Sequence, residues 1–255
     1  MATLFSNTAG TRIGLALGGG FARGIAHVGV LRVFARAGIP IHSIGGVSSG
    51  AITAAAFASG CSTKDIEVAA KAMRAASVEN LMSFAMGDFL RSLLKHTRFE
   101  QMTTPLAIVA SDLTAGAPVI FKDRGDVLLP LHASCAYPGL FPPVRYMDHW
   151  LVDGMVTMDV PAAPLRRMGA THVISVTLRG SNEPFDPRNK HSVVERSFEI
   201  LTARNESHWR RSSDVVISPE SGAADGAQQA IEAGERAAEE ALPHILEWLP
   251  QFAAA

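Results

Sequence analysis

The sequence is short of three things that would assign it to an obvious class: cysteine, charge of one sign and long hydrophobic runs. Its two cysteines, Cys61 and Cys135, lack metal-ligand spacing and suggest no disulfide framework, so we expect no metal site and a cytoplasmic location. The net charge of −1 over 255 residues gives no electrostatic case for binding nucleic acid. No run is long enough to cross a bilayer and no signal peptide is recognisable, so any membrane contact is expected to be peripheral.

What the sequence does contain is an alternation of strand-like and helix-like segments. Short apolar runs predict strands at 12–17, 42–47, 105–110, 118–121, 150–152, 171–178 and 214–217. Helical spacing of apolar residues predicts helices at 24–37, 49–59, 63–75, 80–95, 127–135, 192–211 and 226–249. The alternation favours an α/β sandwich. Because no repeat or clean linker interrupts the chain, we expect residues 1–255 to form a single domain.

The first strand ends in a glycine-rich stretch, LALGGGFARG, in which Gly18, Gly20 and Gly24 lead into a helix. A loop of this kind presents backbone amides to something negative, either a nucleotide phosphate or an oxyanion. The nucleotide alternative needs an acidic residue roughly 20 positions further on. No Asp or Glu occurs between Gly24 and Lys64, so nucleotide binding is the weaker alternative.

The second strand ends in Gly46-x-Ser48-x-Gly50, the spacing of a nucleophile elbow. Such a turn exposes the serine hydroxyl at a helix N-terminus, and the glycines let the strand and the helix approach each other. Ser48 is therefore the candidate nucleophile, and the Ser49 amide a candidate oxyanion donor.

The glycine loop of the preceding strand would supply the remaining donors from Gly19, Gly20 and Phe21. If the two turns lie at one end of a parallel sheet, they form an oxyanion hole together. Arg23, where the loop enters its helix, either braces the loop or meets a phosphate head group of the substrate.

A serine nucleophile needs a base, and none of the nine histidines carries a recognisable signature. His27 belongs to the first predicted helix and is expected to be a packed residue rather than a catalytic base. The better candidate is Asp153, which follows an apolar strand and precedes a glycine. Asp112 and Asp148 are its nearest competitors.

Taken together, these segments resemble the patatin-like phospholipases of the bacterial single-domain type. The resemblance rests on GGFARGIAHVGVL at 19–31, the elbow at 46–50, ASDLTAG at 110–116, ASCAYPGLFPPV at 133–144 and LVDG at 151–154. It implies a three-layer α/β sandwich with a mainly parallel central sheet. It also implies a Ser48–Asp153 dyad without histidine, metal or cofactor, which hydrolyses esters of lipids or of a membrane surface. A non-catalytic adaptor on the same scaffold is the alternative.

Three positions depart from the pattern of that family. Phe21 stands where Gly or Ala is frequent, Met155 where a small residue is preferred, and Asp159 where Asn is common. A phenyl ring at position 21 is expected to narrow or cover the oxyanion hole. Phe21 and Met155 therefore put the usual substrate range in question.

The segment 80–95 is rich in large apolar residues and contains Gly87 as a potential hinge. A helix packed on the core is the simpler expectation. The alternative is a cap over the Ser48 cleft that also touches a lipid surface.

Overall fold

A twisted sheet of eight strands lies at the centre of the fold. The computed structural model describes residues 10–75, 85–178, 185–220 and 225–249. The strands are β1 Ile13–Leu17, β2 Ser43–Val47, β3 Leu106–Asp112, β4 Ala117–Lys122, β5 Val144–Tyr146, β6 His149–Asp153, β7 His172–Val176 and β8 Val215–Ile217. Their order is β5-β6-β3-β2-β1-β7-β8, and β4 pairs separately with β3.

The sheet divides into a parallel part and an antiparallel part at β3. Strands β3, β2, β1, β7 and β8 pair in parallel, which confirms the expected α/β class with a mainly parallel sheet. Strands β4, β5 and β6 are antiparallel to their neighbours. Strand β5 was not predicted, because three residues are too few to show a periodicity of two.

Helices cover both faces of the sheet and complete the three layers. They are α1 Ala26–Ala37, α2 Ser49–Ala58, α3 Thr63–Ala75, α4 Ala85–Leu93, α5 Leu128–Ser134, α6 Ala162–Arg167, α7 Lys190–Arg210 and α8 Ala227–Leu246. On one face the main core includes buried residues of α1, α2 and α8. On the other face, Leu165 of α6 and Trp209 of α7 pack with Ala16 and Val173 of the sheet. The six-residue helix α6 was not predicted.

The apolar segment 80–95 is described only from residue 85 onward, so part of the cap hypothesis lies outside the described residues. Leu90 and Leu94 are buried in the main core, and Phe89 and Leu93 pack against it. The expectation of a helix packed on the core is therefore confirmed for α4. Within the described residues, every helix is too short or too polar to cross a membrane.

Helices α1 and α8 touch backbone to backbone, because a glycine from each faces the other. A Cβ atom on Gly29 would lie 2.0 Å from the carbonyl oxygen of Ile231, and one on Gly234 would lie 2.0 Å from that of Ala26. Since α1 follows the glycine loop directly, this close packing also holds the loop in place.

We expect Gly29→Ala to destabilise the protein by about 3 kcal/mol, because the added methyl meets backbone atoms that cannot rotate away. Chemical denaturation monitored by circular dichroism measures this loss. Gly87→Ala is the control, since its methyl would meet only the His132 ring, at 3.3 Å, and should change stability little. Equal stability of the two variants would contradict the close packing of α1 and α8.

Candidate active site

Ser48 occupies a sharp turn between β2 and α2. Its backbone has φ +54° and ψ −125°, a left-handed conformation that is costly for a residue with a side chain. A Cβ on Gly46 would lie 2.3 Å from the Gly50 carbonyl oxygen, and one on Gly50 would lie 2.4 Å from that of Leu17. Both glycines are thus required by close backbone contacts, and the expected strand–turn–helix geometry is present.

The strained turn is held by a residue that the sequence analysis missed. The Ser48 amide donates a hydrogen bond of 2.9 Å to the hydroxyl oxygen of Ser134. Ser134 ends α5 and is fully buried. Ser134 belongs to the segment 133–144 that carries the family resemblance, but no local signal shows its contact with Ser48, because the two residues are 86 positions apart.

Asp153 meets Ser48 because β2 and β6 lie one after the other on the same edge of β3. The parallel pairing of β2 ends at Val47, opposite Val109. The antiparallel pairing of β6 ends at Asp153, opposite Ala110, which is the next residue of β3. The two strands therefore run toward each other. This brings Asp153 and Ser48, the residue after Val47, to neighbouring positions along β3.

The Asp153 carboxyl is completely buried. This burial raises its pKa from an ordinary 3.8 to about 7, although hydrogen bonding from the Met155 amide and the Ser48 hydroxyl opposes the rise. The Met155 amide donates to Oδ1 at 2.9 Å. Among the described residues Oδ2 has no hydrogen-bond partner. Serine–base contacts are often loose without substrate.

The competing aspartates lie elsewhere. Asp112 accepts a hydrogen bond from the Thr114 amide at 2.8 Å, and its Oδ2 lies 2.7 Å from Nδ1 of His149. Asp148 is exposed in the turn between β5 and β6. Asp153, in contrast, lies beside the Ser48 hydroxyl, and hydrogen bonding from that hydroxyl lowers its pKa against the effect of burial.

His27 is a structural histidine, as expected. Its Nε2 donates to the Gly18 carbonyl oxygen at 2.9 Å, and burial lowers its pKa to about 4, so the ring is neutral. None of the histidines with described side chains lines the two cavities defined below. Within the described ranges, no group of three or more His, Cys, Asp or Glu side chains is arranged to hold a metal ion.

The glycine loop commits some of its amides and leaves others available. The Gly19 amide, which was expected to line the oxyanion hole, donates to the Asp159 carbonyl oxygen at 3.2 Å and so already has an acceptor within the fold. The amides of Gly20 and Phe21 have no acceptor among the described residues. Phe21 has φ +49°, again in the left-handed region. Ser49 is the first residue of α2, so its amide has no acceptor within that helix.

Two cavities adjoin this loop. The first, of about 150 Å³, has Ser48 and Ser49 in its wall and is otherwise mostly apolar; we call it the apolar cavity, and its lining includes Ile52, Ala56, Ile66, Ala70, Met73 and Leu93. The second, of about 350 Å³, we call the charged cavity, because its lining includes Arg23, Glu195, Arg196 and Glu199.

Three residues singled out in the sequence line the charged cavity: Arg23, Met155 and Asp159. Arg23 is 8% exposed, and its Nη1 lies 3.9 Å from Oε1 of Glu199, too far for a hydrogen bond. Met155 lies against Gly19, where a Cβ would come within 2.4 Å of its sulfur. Asp159 accepts a hydrogen bond of 3.0 Å from Nε1 of Trp209. These two departures from the family pattern therefore have structural partners.

The sequence is similar to much longer proteins. It is 34% identical to the uncharacterized NTE family protein Rv2565 of Mycobacterium tuberculosis over 186 residues, which are 69% of this chain and 32% of that protein. It is 32% identical to patatin-like phospholipase domain-containing protein 7 of Rattus norvegicus over 196 residues, which are 71% of this chain and 14% of that protein. The chain thus spans no more than about a third of the length of these two relatives.

The fold is similar to that of VipD from Legionella pneumophila, with a TM-score of 0.54 and 13% identity over 92% of this chain and 67% of VipD. At this identity the likeness concerns the fold alone. The family model of the patatin-like phospholipases matches residues 15–166, a range that contains the glycine loop, Ser48 and Asp153. With this match and the identities to the relatives above, the chain belongs to the patatin-like phospholipase family.

Proposed function

We propose that this chain hydrolyses carboxylic esters of lipids, including phospholipids, with Ser48 as nucleophile and Asp153 as base. The observation that carries the proposal is the meeting of the elbow serine with a completely buried carboxyl on one edge of β3. Membership of a lipase-type hydrolase family supports it. The substrate is then an ester presented by a lipid or a membrane surface.

In the first step the Ser48 oxygen attacks the ester carbonyl carbon while its proton passes to Asp153. The carbonyl oxygen becomes negative and accepts hydrogen bonds from the amides of Gly20, Phe21 and Ser49. One such donor is typically worth about 3 kcal/mol of barrier reduction. The ester C–O bond then breaks, Asp153 returns the proton to the leaving alcohol, and an acyl-Ser48 remains.

In the second step water attacks the acyl-serine. Asp153 accepts a proton from the water and donates it to the Ser48 oxygen as the acyl bond breaks. The products are a free fatty acid and the starting enzyme. Both half-reactions use the same base and the same oxyanion donors, so the chain itself supplies every group that the reaction requires.

The two cavities suit the two halves of such an ester. The apolar cavity begins at Ser48 and is lined by aliphatic side chains of α2, α3 and α4, which suits a hydrocarbon chain. The charged cavity suits the polar alcohol. Arg23 would meet a phosphate there, because its buried Nη1 has no hydrogen bond among the described residues and lies 3.9 Å from the Glu199 carboxylate.

We expect Ser48→Ala and Asp153→Asn each to abolish ester hydrolysis, and the double variant to be no worse than either, because the two residues act as a unit. The measurements are hydrolysis of a 4-nitrophenyl ester and labelling by a fluorophosphonate probe, which requires an activated serine.

Ser43→Ala and Asp112→Asn are matched controls for these variants. Both residues are buried in the same sheet, but neither lies beside the elbow. They should retain activity. Substantial turnover by Asp153→Asn would exclude it as the base, and a wild-type protein that neither labels nor hydrolyses esters would point to an adaptor.

The pKa of Asp153 predicts the pH dependence of activity. A base must be ionised, so kcat/KM should fall about tenfold per pH unit well below pH 7 and level off above it. A limb centred near pH 4 would contradict the effect of burial. The measurement is kcat/KM for a soluble ester between pH 4.5 and 9.

The same pKa predicts a change in stability. Because the pKa is about 7 in the folded protein and near 3.8 when unfolded, the contribution of Asp153 to stability is complete below about pH 4 and is lost as pH rises through 7. Asp153→Asn does not titrate. The Tm of this variant minus the Tm of wild type should therefore increase as the pH rises from 4 to 8.

Ser134 should act as a positioning residue. Ser134→Ala removes the acceptor of the Ser48 amide, and we expect kcat to fall about tenfold with little change in KM, because the strained turn loses its support. Ser134→Thr, which keeps the hydroxyl, should recover most of the loss. Ser111→Ala removes another buried hydroxyl that is bonded to Thr157. If it lowers kcat equally, Ser134 has no specific role.

A further inference from the structure

The glycine loop lies between the two cavities. Its residues are divided between them: Ala22, Gly24 and Ile25 line the apolar cavity, whereas Gly19, Gly20 and Arg23 line the charged cavity. Among the described residues, Phe21 and Tyr137 alone line both. Phe21 and Tyr137 therefore lie where the two cavities adjoin.

The two rings belong to a row of three. The ring centroids of Phe21 and Tyr137 are 6.3 Å apart, and that of Tyr137 lies 4.6 Å from the ring of Phe198 on α7. The row thus runs from the loop, across the segment after α5, to the opposite helix layer. Aromatic pairs at these distances attract one another, so the row is a continuous wall rather than three independent side chains.

The backbone of Phe21 is strained. At φ +49°, glycine is the residue usually found. The ring is 42% exposed, so core burial does not explain why a phenylalanine occupies a strained position. Strain of this kind is concentrated at functional sites.

We propose that Phe21, together with Tyr137, determines substrate specificity by limiting bulk beside the ester carbonyl. This inference rests on the proposed function, in which the Phe21 amide binds the carbonyl oxygen. The amide nitrogen and the Cβ share one Cα, so the ring stands next to the carbon that carries the acyl chain. A straight chain passes along the ring into the apolar cavity. A chain branched at the carbon next to the carbonyl collides with the ring.

The test compares a straight and a branched ester in variants of the wall. The substrates are 4-nitrophenyl butyrate and 4-nitrophenyl 2-methylbutyrate, which differ by one methyl group. Phe21→Ala keeps the backbone amide and removes the ring, and any general loss of activity lowers kcat/KM for both esters and cancels in their ratio. The branched-to-straight ratio of kcat/KM should rise about tenfold, the usual effect of one methyl group at a tight contact.

Phe141→Ala is the matched control, because Phe141 lines the apolar cavity but not the charged one. It enlarges the apolar cavity without opening the wall, so its ratio should stay within about twofold of wild type. Tyr137→Leu removes the other half of the wall and should shift the ratio in the same direction as Phe21→Ala. It provides the test if Phe21→Ala fails to fold.

The outcomes separate this inference from the proposed function. If wild type hydrolyses the straight ester and Ser48→Ala does not, the proposed function stands and the ratio alone decides. An unchanged ratio in Phe21→Ala, or an equal rise in Phe141→Ala, overturns the role of the wall. If wild-type hydrolysis does not depend on Ser48, the proposed function fails first, and this inference fails with it.

Discussion

Two strands share one edge of β3, and the register of both determines whether the elbow serine and the carboxyl meet. Val47 pairs with Val109, and Asp153 pairs with Ala110. A slip of one residue in β6 would turn the Asp153 side chain to the other face of the sheet. Gly154 secures this register, because a Cβ there would lie 2.4 Å from the Val109 carbonyl oxygen. The glycine that follows the aspartate thus lets β6 end directly against β3.

The second constraint is the attachment of the glycine loop to both helix layers. On one side His27 of α1 holds the Gly18 carbonyl. On the other, the Asp159 backbone accepts from the Gly19 amide while its side chain accepts from Trp209 of α7. With these bonds formed, the next two amides remain available. Oxyanion donors stabilise a transition state best when they need no rearrangement, and a loop fixed from two layers meets that condition.

Local sequence predicted the elements that carry a local signature, and it failed where distant residues decide. The elbow turn at Ser48 was predictable because two glycines and a strand–helix boundary are local features. Asp153 was chosen because its Asp-Gly was considered together with the elbow and the glycine loop, and its role as the base stays a proposal. The bonding of Gly19 was not predictable, because its amide donates to the Asp159 carbonyl oxygen, which is 140 positions away. The hydrogen bond from the Ser48 amide to Ser134 was not predictable for the same reason. The antiparallel direction of β6 was also missed, although it brings Asp153 to the serine.

The proposed chemistry and the stability of the fold conflict at Asp153. A carboxylate with a pKa near 3.8 is a weak base for an alcohol, and burial raises that pKa to about 7. The same burial makes the ionised form destabilising, and the Met155 amide limits the loss by donating to Oδ1. A histidine would meet the need for a base near neutral pH at its ordinary pKa. In this fold the neighbouring histidine, His27, is instead fixed as a neutral donor to the glycine loop. The buried carboxyl of Asp153 is then a group beside Ser48 whose pKa lies in the neutral range.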